Sequence, residues 1–285
     1  MTVSAFAHLS ARARRALQAV LLGSVLLAPL ARADLMLYPT RLVFEKNQRA
    51  AQIELINNGT EPATYRLSLV NRRMSENGQF QPAEPAAPGE LFAEPMLRFS
   101  PRQVTLQPGT SQTVRVMLRK PAELADGEYR SHLQFDKLAE VQGSNSVENQ
   151  AEPGAGIGVV LTALVGASVP VIVRHGATSA SVALSHLALS GPPTAPVLAM
   201  QFARSGNASV YGDLSVTFTP QGGAAQQIGK MAGIAVYAPN ASRLAQLPLQ
   251  PPPALALAHG TLSVTYHARP DAGGALLAQA SLPLP

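Results

Sequence analysis

Apolar and polar residues alternate over short segments along most of this 285-residue chain. The alternation is clearest in residues 51–56, 113–118 and 129–135, and turn-forming sequences such as Gln107-Pro-Gly-Thr separate the segments. Side chains two residues apart lie on the same face of a strand, so this pattern predicts half-buried β-strands rather than helices. Short strands separated by such turns, in a chain with 24 Pro and 22 Gly, predict an antiparallel β-sandwich.

The same alternation restarts after residue 176, which indicates a second all-β domain. Its predicted strands are residues 181–184, 197–202, 214–218, 233–237 and 261–266. We therefore predict one domain of residues 34–175 and another of residues 176–285. The polar stretches 75–90 and 136–156 are predicted to be long loops. Because the chain has no cysteine, each domain must be stabilised by its packed core without disulfides.

The N-terminus has the pattern of a secretory signal peptide. Arg12, Arg14 and Arg15 precede an apolar block at residues 16–30, and Ala31-Arg-Ala33 forms an A-x-A cleavage site. The mature chain is therefore predicted to begin at Asp34. Residues 1–33 hold four Arg and no acidic residue, so cleavage lowers the formal net charge from +5 to +1. No basic stripe remains in the mature chain, and we predict no nucleic-acid partner.

Residues 153–173 form an apolar run without a charged residue. Its length is compatible with a membrane-spanning helix, but it is rich in Val and Ile and is interrupted by Gly158, Gly166 and Pro170. Every second residue from 157 to 173 is apolar, as in a β-strand, so no membrane insertion of the mature chain is predicted. Two interpretations stay open at this point. The run is either a central strand of a sandwich core or an exposed edge strand completed by a partner.

The sequence contains little that indicates catalysis. There is no thiol, the histidines of the mature chain are scattered without an HExxH-like spacing, and no GxSxG motif is present. We predict that the protein is not an enzyme and has no metal site and no cofactor. An alternative function is that of a secreted β-sandwich binding module, adhesin-like or carbohydrate-binding. A secreted hydrolase is a further alternative, for which no nucleophile and base are visible.

Several stretches together resemble a known family. They are Tyr38-Pro-Thr-Arg-Leu-Val-Phe and residues 97–116, 126–133, 169–174, 204–214 and 233–240. In this order they resemble the periplasmic pilus chaperones of the PapD-like superfamily. The stretch Gly127-Glu-Tyr-Arg-Ser-His-Leu is most similar to the archaic branch of chaperone-usher systems.

The resemblance implies a fold and a function. The fold is two immunoglobulin-like β-sandwich domains in a boomerang arrangement, with a subunit-binding cleft between them. The function is that of a periplasmic chaperone, which binds incomplete pilus or fimbrial subunits by donor-strand complementation and delivers them to an outer-membrane usher. The alternative that the chain is itself a pilus subunit is disfavoured, since it resembles two complete sandwiches.

The resemblance also implies two sets of site residues. The donor-strand residues are Ile157, Val159, Leu161, Ala163 and Val165. Arg41 matches the family's arginine that holds the C-terminal carboxylate of the subunit. The family's second cation is a lysine, and Pro170 aligns near its position. Arg130 is the candidate replacement, with Arg174 as a second candidate.

Overall fold

The computed structural model of the protein describes residues 35–138 and 166–285. In these ranges the chain folds into β-strands and two short 3₁₀ turns, Glu94–Met96 and Pro270–Ala272. The predicted all-β fold with two sandwich domains is confirmed. The predicted signal peptide and the donor-strand residues Ile157, Val159, Leu161, Ala163 and Val165 lie outside the described residues. Among the residues described, no helix has the length and apolar character needed to span a membrane.

The first domain is a sandwich of two sheets, with strands numbered along the chain. One sheet contains, in spatial order, β1 (Leu35–Tyr38), β3 (Ala50–Asn57), β9 (Ser111–Leu118) and β7 (Leu97–Ser100). The other contains β2 (Leu42–Phe44), β11 (Gly166–His175), β10 (Gly127–Lys137), β4 (Ala63–Val70) and β8 (Gln103–Leu106). The pairing of β2 with β11 is parallel, and the other pairings in these two sheets are antiparallel.

The core of the first domain follows directly from the alternation in the sequence. In β3, Ile53 and Leu55 are fully buried, whereas Gln52 and Glu54 between them are exposed. The inward-facing residues of both sheets form one cluster, whose fully buried members include Phe44, Ile53, Leu55, Val114, Val116, Leu133, Phe135, Val171 and Val173. Burying each such side chain contributes about 1.5–3 kcal/mol. This core replaces the disulfides that the chain cannot form.

The second domain is also a sandwich of two sheets. The smaller sheet contains β12 (Ala180–Ser190), β13 (Val197–Gly206) and β16 (Ser242–Pro248). The larger contains β15 (Gln226–Val236), β14 (Val210–Pro220), β17 (Gly260–Ala268) and β18 (Leu276–Leu284). In its core the rings of Phe202 and Tyr266 meet edge to face with centroids 5.1 Å apart. Since β11 ends at His175 and β12 begins at Ala180, we propose that residues 176–179 link the domains.

The prediction of a long loop over residues 75–90 is partly wrong. Residues 72–82 form a β-hairpin in which β5 (Arg72–Met74) pairs with β6 (Phe80–Pro82). Gly78 sits in its turn with φ +82°, a backbone conformation that only glycine adopts without strain. Strands of three residues are too short to show a period of two. The hairpin reaches the second domain, where the Asn240 Nδ2 donates to the Met74 carbonyl at 2.7 Å.

Candidate functional site

The two domains meet at the outer face of the five-stranded sheet. In β10 the odd-numbered residues, such as Leu133 and Phe135, face the core of the first domain. Glu128, Arg130 and His132 lie on the opposite face, yet they are only 5%, 8% and 1% exposed. They are covered by the second domain and by the hairpin. A small apolar cluster forms the centre of this contact and contains Met74, Ile172, Ala235 and Tyr237, with Val43 and Tyr211 packed against it.

Arg41 lies one residue before β2 and extends toward the second domain. Its Nη2 donates to Ser209 Oγ at 3.0 Å. Its Cζ atom is 4.6 Å from the centroid of the Tyr211 ring and 5.5 Å from that of Tyr237. The Nη1 atom is buried and has no hydrogen-bond partner among the residues that the structure describes. The two N–H groups of this nitrogen are therefore unpaired within the described residues.

Arg130 approaches the same ring from the other side of β11. It pairs with Ile172 in β11, and its Cζ atom is 4.1 Å from the Tyr237 centroid and 5.8 Å from that of Phe80. Its Nη2 donates to the Arg72 carbonyl at 3.2 Å, while its buried Nη1 has no partner in the described part of the chain. Burial lowers the pKa of Arg130 by more than Tyr237, Glu128 and Glu90 raise it, and the charge of Arg41 also lowers it. An anion placed here would offset that cost.

Pro170 lies in β11 two residues before Ile172, the residue that pairs with Arg130. In β11 it pairs with His132, and the next residue, Val171, pairs with Leu42, which directly follows Arg41. Pro170 has no donor or charge, so this position of β11 contributes no cation of its own. The structure thus brings together the two arginines that the sequence singled out as a carboxylate anchor.

Arg174 has a different environment from that of Arg130. Its Nη1 binds Glu45 Oε1 at 2.6 Å and its Nε binds Glu128 Oε2 at 3.1 Å. Glu128 also accepts a hydrogen bond from the Ser209 amide of the second domain at 3.1 Å. The charge of Arg174 is therefore already compensated by two carboxylates, and its contacts link the two domains. This pairing makes Arg174 a weaker candidate for binding a further anion than Arg130.

One edge of β11 is open beside an apolar groove. Along its whole length β11 pairs with β10, but on its other side β2 pairs only with Val171, Ile172 and Val173. Residues 166–170 thus have no strand on that side within the described ranges. A groove of about 410 Å³ lies there, lined by Leu35, Met36, Leu37, Thr40, Asn58, Ser168 and Val169.

The groove adjoins the interdomain cleft. The cleft has a volume of about 730 Å³, and its lining includes Arg41, Arg174, Ser209 and Tyr211. Thr40 lines both the groove and the cleft. A chain lying along the open edge of β11 would therefore approach Arg41, which lines the cleft.

Similar solved structures exist, although no protein-family model and no curated protein matches the chain. The YadV chaperone is 12% identical with a TM-score of 0.43, covering 88% of this chain and 100% of that one. The CsuC–CsuE chaperone-tip adhesion subunit pre-assembly complex from archaic chaperone-usher Csu pili of Acinetobacter baumannii is 10% identical, with a TM-score of 0.41 and coverage of 88% and 98%. The SafA pilin with the SafB chaperone, from Salmonella enterica, is 14% identical, with a TM-score of 0.42 and coverage of 90% and 98%.

Several residues of the cleft were not singled out by the sequence pattern. Tyr237 ends the predicted strand 233–237 and Tyr211 lies before the predicted strand 214–218, and nothing near them in the sequence indicates that they face cations. His132 is one of the scattered histidines, and it is buried with its ring edge-on to Phe80 at 5.1 Å between centroids. In the described residues no three His, Asp or Glu side chains are grouped so as to hold a metal ion.

The environment of His132 predicts a pH dependence of stability. Burial, reinforced by the charges of Arg130 and Arg72, lowers the pKa of His132 to about 3. An unfolded histidine is protonated near its ordinary pKa of about 6.5, so between these pH values the unfolded state binds more protons than the folded state. The free energy of unfolding should therefore fall as the pH is lowered through this range. His132 contributes a slope of up to about 1.4 kcal/mol per pH unit.

Urea unfolding of the wild type and of His132→Leu at several pH values between 6.5 and 4.5 measures this slope. The variant should lose less stability on acidification than the wild type, whatever its stability at pH 7. Identical slopes in the two proteins would show that His132 is protonated in the folded state and would contradict the prediction.

Proposed function

We propose that the protein is a periplasmic chaperone, which binds and stabilises incomplete pilus or fimbrial subunits by donor-strand complementation and delivers them to an outer-membrane usher. One observation carries this proposal: the open edge of β11 borders an apolar groove, which adjoins a cleft lined by Arg41, and Arg41 and Arg130 each have a buried Nη1 without a partner in the described ranges. An edge of this kind pairs readily with a strand of another chain.

The apolar face of β11 supports the proposal that its continuation is the donor segment. Val169, Val171 and Val173 are buried in the core of the first domain. With a period of two, the residues that follow on the same face toward the N-terminus are Ala167 and then Val165, Ala163, Leu161, Val159 and Ile157. We propose that residues 157–165 extend β11 in the complex and that this face packs into the incomplete core of the subunit. The larger of these side chains contribute about 1.5–3 kcal/mol each on burial.

The arginines support a second contact, with the C-terminal carboxylate of the subunit. Arg41 and Arg130 each keep a buried Nη1 without a partner in the described chain. Two donors of this kind suit a carboxylate, since charge-assisted hydrogen bonds are stronger than neutral ones. We propose that Arg130 takes the place of the lysine expected near Pro170. Arg174, which is already paired with Glu45 and Glu128, is proposed to hold the domains together.

Recovery of the protein's natural partners tests the proposal directly. The chain is expressed with its neighbouring operon genes, purified from the periplasm, and the co-eluting proteins are identified by mass spectrometry. We expect a subunit that aggregates or is degraded when this chain is deleted. Recovery of the chain alone, with subunits that accumulate normally in the deletion strain, would overturn the chaperone function.

Export requires the predicted signal peptide, because residues 1–33 contain the basic, apolar and A-x-A regions in the right order. N-terminal sequencing of the periplasmic protein should find Asp34 as the first residue. A chain lacking residues 2–33 should remain in the cytoplasm and fail to support subunit accumulation. A periplasmic protein that retains Met1 would refute this prediction.

A further inference from the structure

The cations and the aromatic rings of the cleft come from different domains. Arg41 and Arg130 belong to the first domain, on either side of β11. Tyr211 lies in β14, and Tyr237 directly follows β15, so both rings belong to the second domain. Tyr211 pairs with Ala235 in the larger sheet of that domain, and Ala235 is two residues from Tyr237. The two tyrosines therefore lie on the same face of that sheet, opposite the arginines.

The rings are close enough to fix both guanidinium groups. Tyr237 is 6% exposed, and its centroid is 4.1 Å from Arg130 Cζ and 5.5 Å from Arg41 Cζ. Tyr211 lies 4.6 Å from Arg41 Cζ. Cation–π attraction is strongest for a desolvated cation, and a planar guanidinium stacks well against a ring. In this arrangement the Nη1 of each arginine has no hydrogen-bond partner within residues 35–138 and 166–285.

We propose that Tyr237, assisted by Tyr211, is a positioning residue that holds Arg41 and Arg130 in place for a carboxylate, so that the anion site is complete only when the two domains are docked. This inference rests on the proposed binding of a subunit's C-terminal carboxylate. It adds that carboxylate binding and domain docking stabilise each other, because each requires the same contacts between arginine and ring.

The domains have other contacts that remain when the Tyr237 ring is removed. Glu128 accepts the Ser209 amide at 3.1 Å, the Asn240 side chain donates to the Met74 carbonyl at 2.7 Å, and the Leu244 amide donates to the Glu76 carbonyl at 2.7 Å. Replacing Tyr237 should therefore change how the arginines are held without separating the domains. This makes its effect on anion binding measurable.

The test uses the mature protein and one synthetic probe in two forms. The probe is an acetylated octapeptide of alternating valine and threonine, prepared with a free C-terminal carboxylate and as the C-terminal amide. Wild type should bind the acid form at least tenfold more tightly than the amide. Tyr237→Phe keeps the ring and should keep this ratio, whereas Tyr237→Leu should reduce it below threefold with little change in affinity for the amide.

Hydrogen exchange of the Ser209 amide measures docking, since this amide bonds to Glu128 across the domain boundary. Saturation with the acid peptide should slow its exchange at least fivefold in wild type and less than twofold in Tyr237→Leu. An undiminished acid-to-amide ratio in Tyr237→Leu, or unchanged Ser209 exchange in the wild-type complex, would overturn the positioning role. If wild type binds both forms equally, the carboxylate anchor itself is wrong, and if it binds neither, the strand-addition proposal fails as well.

Discussion

Replacing Leu161 by Asp should abolish subunit binding while leaving the free protein folded. Leu161 is the central residue of the proposed donor segment. In the complex its side chain would enter an apolar groove of the subunit, where an unpaired carboxylate is costly by several kcal/mol. We expect at least a hundredfold loss of affinity in a pull-down or titration with the subunit. Circular dichroism and thermal unfolding of the same preparation should be close to those of wild type.

A matched control is available one residue along the chain. Thr162 would lie on the opposite face of an extended strand, so Thr162→Asp introduces the same charge away from the subunit core and should retain most of the binding. If Leu161→Asp instead unfolds the first domain, Leu161 belongs to that domain's own core. The open interpretation of residues 157–165 as an ordinary central strand would then be correct.

Replacing Arg41 by Ala should also strongly weaken the binding of the subunit. Removing one partner of a buried ion pair typically costs about 3–5 kcal/mol, because the other charge remains buried without compensation. This corresponds to a loss of roughly two to four orders of magnitude in affinity for a subunit with a free C-terminal carboxylate. Arg130→Ala should have a comparable effect if it supplies the second cation. Titration with a peptide from the subunit's C-terminus measures both.

Comparing the peptide with its C-terminal amide shows whether Arg41→Ala weakens binding by removing the carboxylate contact or by disturbing the fold. Amidation should weaken binding to wild type and have little further effect on binding to Arg41→Ala. Arg115, an exposed residue of β9, is a control of the same size and charge, and Arg115→Ala should bind like wild type. If amidation weakens binding equally in wild type and Arg41→Ala, Arg41 does not hold the carboxylate.

The fold was largely predictable because burial in a sandwich follows the period of two. Segments such as residues 113–118 and 129–135 lie inside the observed strands β9 and β10. The pattern fails where a strand is very short or where both of its faces are covered. Arg72–Met74 and Phe80–Pro82 are too short to show alternation, and in β10 the polar residues Glu128, Arg130 and His132 are buried by the second domain.

The candidate site was predictable only in part. Arg41 and Arg130 were singled out by resemblance, but their surroundings depend on contacts between residues far apart in the chain. Arg41 donates a hydrogen bond to Ser209, which is 168 residues away in the sequence. Tyr237 contacts Arg130 only because the two domains pack together. The pairing of Arg174 with Glu45 spans 129 positions, and it makes Arg174 a weaker anchor candidate than Arg130. Local sequence patterns do not contain such information.

The position of Thr40 at the junction of groove and cleft has a consequence for any strand bound there. The arginines would hold the last residue of that strand, so the groove would receive side chains at fixed distances from the chain end. Side chains of a strand alternate between two faces, and a shift of one residue therefore turns every apolar side chain away from the groove. Such a site would select a ligand by the distance of its apolar side chains from the C-terminus. The number of residues between the last apolar residue and the C-terminus, odd or even, would decide whether the apolar side chains face the groove. Two ligands with the same side chains could therefore bind differently.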